Sequence, residues 1–334
     1  MMNFLHFLPY HSDFIDRSIK LLHDWSDFYG DESYIKSSEF SQVTQPGNYW
    51  AERITAKDIN QRVFSLNQQS SKVLISNGFF ININQQSDEN INGGVISQFS
   101  GYSFHYIVCA MNCNANIGSY IYIFPNNEVF NNYSTTQSTF TCCKCTNSVL
   151  FIESKNILHK KLNITHSVGI SRCAYVFRVK SENGTSKFNN LAYCNSSNYL
   201  ILHRQFGTTL MEHCNVIKNY NSGDKGLIGI MDQNTSLIVK DSIFRQNICN
   251  FMFYTDFSID TTSISLSDCY FHGDSFNSFS NLRNIIGSPI NSAKNPYDLG
   301  LYSSAVCKAA TPMQCQRICQ NYNHPLGSIL RRHR

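Results

Sequence analysis

Two strand-like motifs recur in phase along the middle of this chain, and that double period restricts the fold more than any other feature of the sequence. Runs of aromatic and β-branched residues begin at Tyr120, Val149, Tyr175, Tyr199, Leu227 and Phe251, at intervals of 29, 26, 24, 28 and 24 residues. Between them a second motif ends at Cys143, His166, Asn190, His213, Asp241 and Asp268, at intervals of 23, 24, 23, 28 and 27. A unit of about two dozen residues cannot bury its own apolar face, so successive units must stack on one another. The spacing predicts an all-β chain: a single-stranded parallel β-helix, right-handed by the general preference of parallel crossovers. A β-sandwich would not hold two motifs in phase, and the Leu-Asn spacing of leucine-rich repeats is absent.

Local alternation supports short strands. Leu162 and Ile164, Leu237 and Val239, and Ile264 and Leu266 are apolar pairs, with Thr165, Lys240 and Ser267 after them. Such period-2 patterning puts one face inward and one outward. Stacking like on like predicts Phe244 in register with Phe271, and Cys173 with Cys249. It also places Tyr120, Tyr175 and Tyr199 at equivalent positions, which invites a carbohydrate-stacking platform, although alternating strand aromatics are more often core or a stacked ladder. Variable spacing is expected to loop out at turns, as in Asn219–Gly226. Residues 1–45 read as an N-terminal helical cap, with Asp13 capping Phe14, Ile15, Ile19, Leu22 and Trp25, and Gly30 ending the pattern. Pro46-Gly47 marks a turn into the β-helix of residues 46–285, and Pro and Gly punctuation predicts an irregular tail over 286–334.

Composition narrows the function classes. Of the 334 residues, 42% are hydrophobic and only 15% charged, with Asn, Ser, Thr and Gln replacing charge. A net charge of +4 without a dense Lys/Arg stripe does not indicate a nucleic-acid partner. No window carries about 18 apolar residues, so no transmembrane helix is expected. Phe4, Leu5, Phe7 and Leu8 are interrupted by His6 and Pro9 and lack a basic lead, so no signal peptide is expected either. Thirteen cysteines is an odd number, which leaves at least one thiol free or paired outside the chain. Neither Cys142, Cys143 and Cys145 nor Cys307, Cys315 and Cys319 has the spacing of a zinc site, and no metal or other cofactor is expected.

Gly93-Gly94-Val95-Ile96 resembles the GGAI motif of polymorphic outer-membrane proteins, and Phe124-Pro125-Asn126-Asn127 and Phe244-Arg245-Gln246-Asn247 match its Phe-x-x-Asn partner. With the Asn-rich composition, residues 45 to 285 are similar to the Pmp-like surface proteins of trichomonad parasites. That resemblance implies a right-handed β-helix, display on a cell surface or secretion, and adhesion to a protein or glycan on another surface. Sequons at Asn132, Asn163, Asn183, Asn195 and Asn234 permit glycosylation in that setting.

Many parallel β-helices cleave acidic polysaccharides, which requires paired carboxylates at a fixed separation. This chain has no Asp-Asp pair and none of the Asn-Thr-Asp, Gly-His-Gly or Arg-Ile-Lys motifs of polygalacturonases. Its best catalytic candidates are His213, Asp241 and Asp268, in a polar column with His166 and Asn190. The competing reading is a ladder of turn residues at a strand end, and the mixture of His, Asn and Asp favours the ladder. Cys214 beside His213 reads as a small buried hydrophobe, not a nucleophile, because adjacent strand residues face opposite ways. The sequence therefore points first to a non-enzymatic interaction or display β-helix. A polysaccharide-binding or polysaccharide-degrading β-helix is the alternative, and a purely structural solenoid the third possibility.

Overall fold

The computed structural model describes residues 24–287, apart from 39–42, 46, 67–70, 85–91, 100, 125–131, 205–206, 233–234, 256–261 and 282–284. The residues assigned to the tail from 288 onward, and those preceding 24 in the cap, lie outside the described residues. Residues 1–33 and 34–334 form two separate units. In the first, the helix Trp25–Tyr29 is held by a capping box between Asp24 and Asp27 and stops at Gly30, whose φ of 66° suits a residue without Cβ.

The second unit is a parallel β-helix. Every described strand pairing is parallel, in one sheet of 22 strands and one of nine. The stack starts at Ile35–Ser37, which pairs with Tyr49–Ala51. In the nine-stranded sheet the central column reads Ala56, Phe80, Ala110, Phe140, Ile164, Leu191, Val216, Phe244 and Phe271. All nine are buried. The expected stacking of Phe244 on Phe271 is present, with ring centroids 4.6 Å apart and planes within 6°.

Two corners bracket that sheet, and each is made by a residue in the left-handed region. The first corner carries Arg53, Asn77, Ile107, Gln137, Lys161, Phe188, His213, Asp241 and Asp268; the second carries Asp58, Asn82, Asn112, Cys142, His166, Tyr193, Lys218, Gln246 and Gly273. Seven of these eighteen are Gly, Asn or Asp; the other eleven carry the steric penalty of a Cβ in this conformation, about 1–2 kcal/mol each. The penalty is offset because most corner N–H groups donate to a carbonyl of the next rung, as His213 does to Lys240 and Asp241 to Ser267.

Inside each corner, the following side chain faces the core. Past the second corner these are Cys113, Cys143, Ser167, Cys194, Asn219, Asn247 and Asp274. Several of them complete the same bond, reaching a central carbonyl of the nine-stranded sheet one rung back. Cys113 reaches Phe80, Cys143 reaches Ala110, Cys194 reaches Ile164, Asn219 reaches Leu191 and Asn247 reaches Val216. The asparagines add bonds along the stack: Asn219 Nδ2 donates to Asn247 Oδ1 at 3.0 Å, and Asn247 Nδ2 to Asp274 Oδ1 at 2.8 Å. Cys214 and Cys269 take the matching place past the first corner, where Cys214 reaches the Ser186 carbonyl and Cys269 that of Val239. They are buried small side chains, as their sequence context implied.

The register departs from the expected phase in places. Cys173 does not stack with Cys249. It lies in the irregularity between Arg172 and Tyr175, while Cys249 pairs with Phe276, and the column of its neighbour Ile248 runs back through Tyr220 and Asn195 to Val168. Tyr120, Tyr175 and Tyr199 are not equivalent either: Tyr175 aligns with Leu150 and Ile201, and Tyr199 with Arg172. Bulges shift one strand against the next without disturbing the apolar character that the eye aligns. Only Ser222–Lys225 of the expected Asn219–Gly226 loop leave the sheet, since Tyr220–Asn221 is a paired strand and Asn219 a buried ladder residue.

Candidate functional site

The polar column expected from sequence is two columns and a strand residue. His213, Asp241 and Asp268 do occupy consecutive rungs of the first corner. His166 belongs to the second corner, and Asn190 sits within the nine-stranded sheet between Asn163 and Asn215. The two corners lie five residues apart and each follows a short strand, so His166 and His213 have similar local sequence settings.

Around the first corner, the outward faces of Lys187, Glu212 and Lys240 are in register. The Glu212 carboxylate takes Lys187 Nζ at 2.8 Å and Lys240 Nζ at 3.8 Å. The hydrogen bond from Lys187 holds the Glu212 carboxyl below the usual carboxylate range, against the opposing effect of burial. Lys240 also lies 3.9 Å from Asp241. The His213 ring stacks on Phe188 at 4.8 Å. One donor atom each from Glu212, His213 and Asp241 falls within 4.8 Å of the others, enough to offer three ligands to a cation. Two ammonium groups already neutralise Glu212, so a divalent ion would have to displace a lysine. The arrangement links three rungs by ion pairs.

A second feature, missed in the sequence, lies on the outer face of the larger sheet. Tyr122, Phe151, Val176, Leu202 and Gly229 form one register column, ending at Tyr254. Their neighbours Ile121, Leu150, Tyr175, Ile201 and Ile228 point into the core, so this column points away from it. It forms an apolar cluster of its own with Tyr199 and Met231, rimmed by the partly buried Phe99, Ile117, Phe124 and Tyr254. Tyr122 stacks on Phe151 at 5.3 Å and on Phe124 at 6.0 Å. Gly229 admits the Tyr199 ring, since a Cβ there would lie 2.4 Å from Tyr199 Cδ1. Cations sit over the rings, Arg178 over Phe124 at 5.7 Å and Lys225 over Tyr199 at 5.5 Å. Arg178 is fixed by Glu153 at 2.7 Å. Burial raises the Tyr122 hydroxyl above its ordinary range.

The signal for this stripe was present in YIYIF and VLFIE, where a central aromatic alternates with core aliphatics. Reading those runs as wholly buried hid it. Among the described residues, no helix is long and apolar enough to cross a membrane. Comparison with family models, with curated proteins and with solved structures finds no match to this chain.

Proposed function

We propose that this chain is a non-enzymatic interaction module, a β-helix that displays its outer aromatic stripe to a protein or glycan partner. The observation that carries the reading is that stripe: a buried apolar column on the side of the sheet away from the core, with a partly exposed rim of Phe99, Phe124 and Tyr254 and with a guanidinium and an ammonium over its rings. Flat rings flanked by charged hydrogen-bonding groups suit both sugar faces and apolar side chains. Tyr122 and Tyr199 form a buried floor, and Phe99, Phe124 and Tyr254 the accessible rim. The chain between the strands of this face and the next sheet face varies in length, from Arg204 to Gly207 in one rung and from Ile123 to Asn132 in another. Insertions of that kind commonly frame the binding side of a solenoid. The Pmp-like resemblance adds surface display and adhesion to the same proposal.

The Glu212, His213 and Asp241 cluster favours a second reading, a β-helix that degrades polysaccharide. One experiment separates the two. The purified chain is screened on a glycan array and on intact cells, alongside Asp241→Asn and a Phe124→Ala/Tyr254→Ala double variant. Binding without turnover, kept in Asp241→Asn and lost in the double variant, supports the interaction module. Cleavage of any polysaccharide, abolished in Asp241→Asn, overturns it. Binding that survives the double variant moves the site off the aromatic stripe.

A further inference from the structure

Two interior thiols lie face to face in successive rungs. Met111 aligns with Thr141 and Asn114 with Lys144, and the same number of residues separates each set. Cys113 is therefore opposite Cys143, and the Lys144 N–H donates to the Cys113 carbonyl at 3.1 Å. Neighbouring strands run about 4.8 Å apart, inside the ~4.4–6.8 Å between Cα atoms that a disulfide spans. The side chains also take the same direction. Each Sγ lies against the carbonyl two residues back, Cys113 on Met111 at 3.7 Å and Cys143 on Thr141 at 3.6 Å. Each also lies 3.9 Å from a carbonyl one rung back, that of Phe80 or of Ala110. The two thiols are hydrogen-bonded to one another, and both are buried.

No other pair of free thiols among the described residues shares this alignment. Ser167 separates Cys143 from Cys194 along the column, and Ser242 separates Cys214 from Cys269. Cys145 is opposite Ala115 and Gly169, and Cys249 is opposite Phe276. Cys173 hydrogen-bonds Cys194 but sits in the irregularity between Arg172 and Tyr175, out of register with it.

We propose that Cys113 and Cys143 form a peroxide-reactive dithiol site, oxidised to a disulfide that ties two successive rungs together inside the β-helix. The hydrogen bond from Cys113 lowers the Cys143 thiol, while burial holds Cys113 well above its ordinary range, so Cys143 supplies the thiolate. That thiolate attacks one oxygen of hydrogen peroxide. The O–O bond breaks, leaving a sulfenic acid on Cys143 and a hydroxide, which takes the Cys113 proton and becomes water. The Cys113 sulfur then attacks the Cys143 sulfur. The S–O bond breaks, and the departing hydroxide recovers the proton first lost by Cys143 as the second water. Two thiols lose two electrons and two protons, and one peroxide is reduced to two waters. Peroxide is small and uncharged, and local opening of a rung admits it. The product is neutral, so no charge is left in the dry interior. The joined rungs are those of Tyr122 and Phe151, so oxidation braces the aromatic stripe from within.

The test exposes the folded full chain to hydrogen peroxide and quenches with catalase. The chain is then alkylated with N-ethylmaleimide in denaturant without reductant, digested and read by tandem mass spectrometry. A Cys113–Cys143 cross-link should go from absent to the major form, with fragment ions assigning it to Cys143 and not to Cys142 or Cys145. The urea midpoint of the treated chain should rise. Cys113→Ser and Cys143→Ser are the controls. Serine fits this column, since Ser167 takes the same place and its hydroxyl donates to the Thr165 carbonyl two residues back. Both variants should lose the cross-link and the peroxide-induced rise. Alkylation of both cysteines after a treatment that fully oxidises free glutathione overturns the proposal, as does a bond from Cys113 to any other cysteine or the same midpoint rise in the serine variants. If either variant fails to fold, the cross-link in the parent chain decides the case alone.

Discussion

Acidification should unfold this β-helix through histidines sealed in its interior. His105, His159 and His203 point inward and lie in a continuous column of rings with Tyr120, Tyr133, Tyr175 and Phe177, at centroid separations of 4.4 to 5.9 Å. His105 is hydrogen-bonded by Ser103 at 2.8 Å and Tyr120 at 3.2 Å. Neither ring nitrogen of His159 or His203 has a hydrogen-bond partner among the described residues. Burial depresses His105 and His203 to about 3, and drives His159 well below its ordinary value as well. A depressed base binds its proton more readily when unfolded. The stabilisation is thus fully present above pH 6.5 and is lost progressively as pH falls from there toward 3.

At pH 5 each of the two valued histidines has lost about 2 kcal/mol, so the pair removes about 4 kcal/mol, with His159 adding in the same direction. That is a large share of the 5–15 kcal/mol typical of a folded domain. The assay is urea unfolding followed by circular dichroism at pH 7.5 and pH 5.0, on the parent chain and on His203→Phe. The variant replaces an unpaired imidazole with an apolar ring, so it should match or exceed the parent at pH 7.5. It should also lose about 2 kcal/mol less on acidification. An unchanged pH 5 loss in His203→Phe would refute the assignment to buried histidines.

Three other outcomes follow from the ladders and corners. Burial raises the Asp274 carboxyl, so its contribution is greatest below about pH 3.8 and is lost as pH rises through the folded value; Asp274→Asn should stabilise the chain at pH 7 by about 1 kcal/mol, and the gain should vanish near pH 3. Asn247→Ala removes donors to Val216 and Asp274 and the acceptor for Asn219, and should cost about 2–4 kcal/mol in denaturant titrations. Ile107 holds a φ of 53°, where a β-branched side chain is strained, so Ile107→Asn should raise the thermal midpoint, with a gain of about 1 kcal/mol.

The solenoid was legible because stacking imposes a rule on every repeat. Leu237, Val239, Ile264 and Leu266 had to face inward, and all four are buried in the core. The candidate site was legible only in part. His213, Asp241 and Asp268 do stack, but their company was misjudged, since His166 and Asn190 belong elsewhere. The aromatic stripe went unseen because Tyr122 and Phe151 are apolar in a strand, which reads as core until the neighbouring residues are known to be inside.

By itself, the sequence determined that the chain must stack short strands in parallel and which side chains those strands bury, because period-2 patterning and a repeat of about two dozen residues admit few other solutions. The tertiary structure alone decided the register. It set the bulge at Arg172 and Tyr175 that turns Tyr199 outward, and it admitted Ile107, Lys161 and Phe188 to left-handed corners. It also aligned Cys194, Asn219, Asn247 and Asp274 into one interior ladder. Each of these depends on hydrogen bonds between residues about one rung apart, and such lateral bonds override local preference without leaving a mark in the local sequence.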